Sequence, residues 1–220
     1  MRQPEWETFY ARILADMGYS REDDESAVRV LKAVTLNSDL TDPDDVRDRF
    51  SEMATVFGDA DCLEDDISSN PPVGTLICAG SAVSRLMTLG IVPDVVVTDL
   101  DGDMEPQLEA SNRGALTFIH AHGDNTDAIR EWAGRFRGPV ILTTQSRPEN
   151  TVFCFGGFTD GDRAVCIAQE MGCRTVLLEG FDLEHPRTKE GRDPDVKLRK
   201  LRWAGEILDS LDGIELIRPR

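Results

Sequence analysis

From Met53 onward the chain alternates short apolar runs with longer amphipathic stretches. The runs Met53–Phe57, Thr75–Ala79, Val95–Thr98, Leu116–His120, Val140–Thr143, Thr175–Leu178 and Ile214–Ile217 are four or five residues long. Their length and β-branched content predict strands. Helical periodicity fills the intervals at Ala82–Leu89, Thr126–Phe136, Arg163–Met171 and Val196–Leu211. Strands apolar on both faces, each followed by a helix, predict an α/β fold with a mostly parallel, Rossmann-like sheet flanked by helices.

The first fifty residues follow a different pattern. Trp6, Phe9, Tyr10, Ile13, Leu14 and Met17 fall on one face of a helix. A second helix is expected to start near Ser20, with acidic residues in its first turn and an apolar stripe of Ala27, Val30, Leu31 and Val34. Thr41-Asp42-Pro43 reads as a cap followed by proline at the first helical position. The expected organisation is a helical N-terminal region, 1–52, carrying no chemistry, and an α/β catalytic domain, 53–220. Pro71-Pro72 marks a loop and not a linker.

Charge narrows the function classes. The chain carries 41 Asp+Glu against 24 Lys+Arg, a formal charge of −17. Only four of the basic residues are lysines. Self-repulsion on this scale is relieved by salt, so the surface is expected to suit concentrated salt. Duplex nucleic acid, which needs a basic face, is excluded as a partner. No run approaches the roughly 20 apolar residues of a membrane span, and no signal-peptide pattern opens the chain, so a cytoplasmic protein is expected. The five cysteines are scattered without a CxxC and are expected to be free thiols.

The densest chemistry lies at Pro93-Asp94-Val95-Val96-Val97-Thr98-Asp99-Leu100-Asp101-Gly102-Asp103. Alternate residues of an extended segment share a side, so Asp99, Asp101 and Asp103 are expected to converge, with Gly102 turning the backbone. Clustered carboxylates repel unless a cation neutralises them, and an oxygen-only set favours Mg²⁺ or Mn²⁺. An acidic protein also carries such triplets in solvated turns. Placement at the carboxyl end of a buried strand, where open α/β sheets bind ligands, favours a site.

No GxxxxGK[ST] and no GxSxG is present. Gly58-Asp59-Ala60-Asp61 follows a strand and offers either backbone N–H groups to a phosphate or an ordinary βα turn. His120-Ala121-His122-Gly123-Asp124-Asn125-Thr126-Asp127 follows another, with His122 and Asp124 suited to metal or general-base work and Asn125 or Thr126 to a cap. In Gly156-Gly157-Phe158-Thr159-Asp160-Gly161-Asp162-Arg163 the glycines permit close backbone approach and Arg163 can grip a phosphate, while Thr159 and Asp160 also suit a cap. Thr143-Thr144-Gln145 closes a further strand. All these pieces fall at strand ends, as a nucleotide pocket requires.

Together these motifs, from about Val56 to Leu208, resemble the archaeal 6-hydroxymethyl-7,8-dihydropterin pyrophosphokinase family, and Asp99-Leu100-Asp101 is similar to the paired metal-binding aspartates of thiamine pyrophosphokinases. The resemblance implies Mg²⁺-dependent transfer of diphosphate from ATP to the hydroxymethyl group of a reduced pterin, releasing AMP. The product would enter a methanopterin- or folate-type cofactor. It implies metal binding by Asp99, Asp101 and Asp103, with His122 or Asp124 as base or second ligand. Nucleotide contacts are expected from Gly58, Asn125, Thr144, Gln145, Gly156 and Gly157, and from Thr159, Asp160, Arg163 and Lys197. Phe153, Phe155 or Phe158 would stack on the acceptor. One departure is Ala79-Gly80-Ser81, where members usually carry Asp between Ala and Gly. Thiamine as acceptor, or nucleotide binding without catalysis, are the competing readings. A homodimer is the expected state of a soluble enzyme of this kind.

Overall fold

In a computed structural model, residues 1, 3–185, 187 and 193–218 are described. Their strands form one sheet of eight, ordered β6-β5-β4-β3-β2-β1-β7-β8. The strands are β1 (Met53–Phe57), β2 (Thr75–Ala79), β3 (Val95–Thr98), β4 (Leu116–Ala121), β5 (Val140–Thr144), β6 (Val152–Phe153), β7 (Thr175–Glu179) and β8 (Glu215–Ile217). Every pairing is parallel. The chain steps outward from β1 to β6, then returns to lay β7 on the other side of β1. Loops leaving β1 and β7 therefore diverge, opening a crevice at their carboxyl ends.

The helices are α1 (Gln3–Met17), α2 (Arg21–Val34), α3 (Leu63–Ser69), α4 (Val83–Thr88), α5 (Met104–Asn112), α6 (Thr126–Trp132), α7 (Asp160–Glu170) and α8 (Pro194–Asp209). One sheet face buries Val56, Ile77, Val97 and Phe118 against Ala164, Val165 and Ala168 of α7. The opposite face divides in two. Phe57, Cys78 and Val96 pack on Leu63, Leu86 and Ala110 of α3, α4 and α5, while Ile119 and Leu142 pack on Leu31 of α2 and Ile129 of α6. Coverage on both faces is why the strands read as continuous apolar runs.

Strands β1 to β3 have the boundaries expected from the apolar pattern, and Ser20 caps α2 by accepting the Asp23 N–H. Three elements were not legible. Helix α3 buries only Leu63, too little for a periodic stripe, and β6 is two residues long. Helix α5 was hidden by reading 99–103 as extended. Leu100 instead takes φ 65° and Gly102 φ 87°, turning the chain so that Asp103 becomes the N-cap of α5. Helix α7 begins three residues before the expected Arg163, because Thr159 and Asp162 form a reciprocal capping box. All five cysteines are free thiols, with Cys78, Cys166 and Cys173 buried.

Candidate functional site

A cleft of ≈ 650 Å³ lies over the carboxyl ends of the central strands. Its floor comes from the turns after β1 (Gly58, Asp59), β2 (Ala79, Ser81), β3 (Asp99, Asp101) and β4 (His122, Asp124, Asn125). Gln145 after β5, the start of α7 and the turn after β7 (Gly180, Phe181) complete the walls, and Lys197 and Lys200 of α8 face it from above. A parallel sheet sends all these turns to one edge, so residues far apart in sequence meet.

At its centre two carboxyl groups confront each other. The Asp99 backbone N–H donates to Asp160 Oδ2 at 3.3 Å, and the Asp101 N–H donates to Asp99 Oδ1 at 3.1 Å. His122 Nε2 stands 3.5 Å from Asp99 Oδ2. Burial pushes the Asp99 carboxyl up, but the hydrogen bond from His122 and the Arg163 charge outweigh it and hold Asp99 well below the carboxylate range. Burial and the neighbouring Asp99 charge push Asp160 the other way, to about 8. One carboxylate is thus ionised at the expense of its neighbour, an arrangement that a divalent cation resolves by neutralising both.

Among the described residues, no three His, Cys, Asp or Glu side chains stand together as a finished metal site. The convergence expected of Asp99, Asp101 and Asp103 does not form, because the left-handed Leu100 breaks the two-residue alternation and Asp103 is exposed outside the cleft. Hard oxygen donors remain in Asp99 with Asp101 or Asp160 beside it. That set fits Mg²⁺, which takes one or two protein carboxylates and completes its shell with substrate phosphate and water.

The loop after β4 is held by Asn125, whose Nδ2 donates to the carbonyls of Asp99 at 2.8 Å and His120 at 2.7 Å. Its Oδ1 accepts the His122 N–H at 3.0 Å. Asn125 therefore ties β3 to β4 beneath the cleft. His122 Nδ1 accepts the Asp124 N–H at 3.3 Å, which places the imidazole proton on Nε2, toward Asp99. Asp124 is exposed on the cleft wall.

Several expected contacts are not brought to the cleft. Arg163 is 3% exposed and turns inward, donating to Asp160 Oδ1 at 2.8 Å and to the Phe158 carbonyl at 3.1 Å. It braces Asp160 and does not reach ligand space. A Cβ on Gly157 would lie 2.3 Å from Arg163 Cα and one on Gly156 3.5 Å from the Trp6 ring, so these glycines let the loop pack on α7 and α1. Thr144 is buried and accepts the Ser146 N–H at 3.1 Å. Phe153 and Phe155 stack on each other at 6.2 Å within the core, leaving Phe158 alone of the three on the cleft.

Tyr19 and Asp24 lie outside every sequence motif, while Asp59 and His120 lie inside two of them without an assigned role. The N-terminal helices, expected to carry no chemistry, place Tyr19 on the cleft wall and Asp24 behind Gln145, whose Nε2 donates to Asp24 Oδ2 at 2.8 Å. Asp59 Oδ1 accepts Arg187 Nη1 at 2.7 Å and Arg85 Nη1 at 3.2 Å. His120 lies under the floor, 1% exposed, with Nδ1 3.0 Å from Thr143 Oγ1. The Thr143 hydroxyl itself donates to the Ile119 carbonyl at 3.2 Å, and the Gln145 side chain meets the same imidazole ring. Burial, then Arg163 and His122, hold His120 well below the usual imidazole range and hence neutral. Two histidines in three residues were the available signal; none existed for Tyr19 or Asp24.

Residues 33–188 match the family described as 6-hydroxymethylpterin diphosphokinase MptE-like. The chain is 39% identical to a 6-hydroxymethyl-7,8-dihydropterin pyrophosphokinase of Pyrococcus furiosus over 96% of this chain and 94% of the relative. It is 36% identical to the protein of that name from Methanothermobacter thermautotrophicus, covering 94% of both chains. Identity is 28% with that of Methanocaldococcus jannaschii, over 98% of each chain.

Proposed function

The chain belongs to the 6-hydroxymethylpterin diphosphokinase MptE-like family, and from that premise we propose that it transfers diphosphate from ATP to 6-hydroxymethyl-7,8-dihydropterin, releasing AMP. The observation that carries this reading is the Asp99–Asp160 pair, two half-buried carboxyl groups that meet at the floor of a cleft beside the β1/β7 divergence. Mg²⁺ held by Asp99 with Asp101 or Asp160 would supply charge neutralisation for the polyphosphate.

The chain's own residues do the rest. The His122 N–H toward Asp99 keeps that carboxylate ionised near neutral pH. Lys197 of α8 lines the cleft and draws the polyphosphate in. The acceptor hydroxyl attacks the β-phosphorus, the bond between that phosphorus and the bridging oxygen to the α-phosphate breaks, and AMP leaves with the bridging oxygen. Asp124, on the cleft wall outside the central pair, is the base assigned to the hydroxyl proton. Such a transfer asks little covalent chemistry of the protein beyond positioning and electrostatics. In this reading residues 1–52 and 53–220 act as one unit on the cleft. The enzyme works in the cytoplasm, in concentrated salt, on the way to a methanopterin- or folate-type cofactor.

The test is a product assay in molar KCl with Mg-ATP and either the dihydropterin or thiamine, resolving AMP from ADP. Pterin-dependent AMP that disappears in Asp101→Asn, with folding intact by circular dichroism, is expected. AMP formed only with thiamine would replace the acceptor. Failure of either acceptor to yield AMP from folded protein would reduce the role to binding, and direct attention to the Ala79-Gly80-Ser81 turn.

A further inference from the structure

A flat acceptor needs a surface to stack on and a polar edge to read its orientation, and both occur on one wall of the cleft. Tyr19 and Phe158 line it with ring centroids 6.4 Å apart and planes at 52°. Lys200 Nζ covers the pair from α8, 5.6 Å from the Tyr19 ring and 5.7 Å from that of Phe158. Rings with a cationic cover suit an electron-rich heterocycle.

The polar edge belongs to Gln145, which lines the same cleft while only 4% exposed. Its carbonyl accepts the Trp6 indole N–H at 2.8 Å, and Trp6 packs in the cluster that holds Tyr19 and Phe158. Its side-chain Nε2 donates to Asp24 Oδ2 at 2.8 Å. Asp24 is 2% exposed and is itself fixed, accepting the Tyr10 hydroxyl at 2.6 Å and the Gly123 N–H at 2.7 Å. An ionised carboxylate only accepts, so the Gln145 NH₂ must face it and the amide cannot flip. Oε1 also engages the buried His120 ring, and the second lone pair of this amide oxygen is the acceptor offered to a ligand.

We propose that the wall formed by Tyr19, Phe158 and Gln145 is the acceptor subsite, that it takes a flat heterocycle whose edge carries N–H donors, and that Asp24 is the positioning residue that fixes the Gln145 acceptor. This deepens, and rests on, the reading of the cleft as a diphosphate-transfer site. A reduced pterin has such an edge in its lactam N–H and adjacent amino group. Specificity follows from the cost of leaving a buried acceptor unpaired when the donor edge is missing. The ATP side then falls to the other half of the cleft, around Gly58 and Phe181.

The experiment measures dihydropterin binding by its own fluorescence and Mg-ATP binding by calorimetry, alongside the AMP assay, on the full chain in molar KCl. Asp24→Asn is expected to raise the pterin Kd about tenfold, the worth of one hydrogen bond, with less than about a twofold change for ATP. Tyr19→Leu, at a partly exposed position where folding is not at stake, is expected to do the same through lost stacking. Unchanged pterin affinity in folded Tyr19→Leu, or a loss confined to ATP, would overturn the subsite. Wild-type protein that binds pterin at this wall but forms no AMP would sink the transfer reading while leaving the subsite standing. Wild type that binds no pterin overturns the subsite itself.

Discussion

Asp160 Oδ2 accepts the backbone N–H of Asp99 at 3.3 Å. A carboxyl group at the first turn of α7 thereby closes over the turn that ends β3, although the two residues are 61 positions apart. The contact sets two half-buried acids side by side and separates their proton affinities, Asp99 held down by His122 and Asp160 pushed up to about 8 by burial and by Asp99. Neither residue alone has this property.

Replacing Asp160 by Asn should keep an acceptor for one of its two partners while removing a carboxyl group that could ionise onto Mg²⁺. We expect turnover with Mg-ATP to fall roughly 10²-fold, the scale of losing one electrostatic group at a transferring centre, and the Mg²⁺ needed for half-maximal rate to rise. Asn matches the size of a protonated Asp and keeps its polar atoms, so the thermal midpoint should move little. Wild-type rates across an Mg²⁺ titration would remove Asp160 from the assigned set.

Arg163 predicts a different phenotype, because it is buried and engaged with Asp160 and the Phe158 carbonyl. Arg163→Ala strips a buried partner from Asp160 and empties space under the Gly157 loop. A loss of about 3 kcal/mol is expected, the lower end for breaking a buried ion pair, measured by urea unfolding in molar KCl. An unaltered midpoint with only a raised KM for ATP would instead mean that Arg163 rotates out to hold phosphate.

Glu179 closes β7 with no exposed surface, and neither carboxyl oxygen has a hydrogen-bond partner among the described residues. Burial, then the nearby Asp66, push it to about 7. The folded pKa lies above the unfolded value of about 4.3, so the folded state binds the proton more tightly. Its stabilising contribution is whole below pH 4, falls as pH rises, and is gone once pH passes about 7. Glu179→Gln should flatten the stability profile across that window and stabilise the protein at pH 8, by up to about 3 kcal/mol from linkage. Parallel pH profiles for variant and wild type would contradict the assignment.

What the sequence determined by itself is the layering and the edge at which the chemistry collects. Runs such as Val95–Thr98 are apolar on both faces, which is stable only for a strand covered on both sides, and strands alternating with helices make a parallel sheet whose carboxyl ends share one edge. That placed Asp99, His122, Gln145 and Asp160 near one another before any contact was known. The tertiary structure alone decided which of them meet. A left-handed Leu100 sent Asp103 away, the packing of Gly157 on α7 turned Arg163 inward, and Asp24 reached Gln145 across 121 residues. Local patterns record burial and turn preference, which repeat over a few residues. The partners of a buried polar group depend on which distant surfaces close upon it, and no local period carries that information.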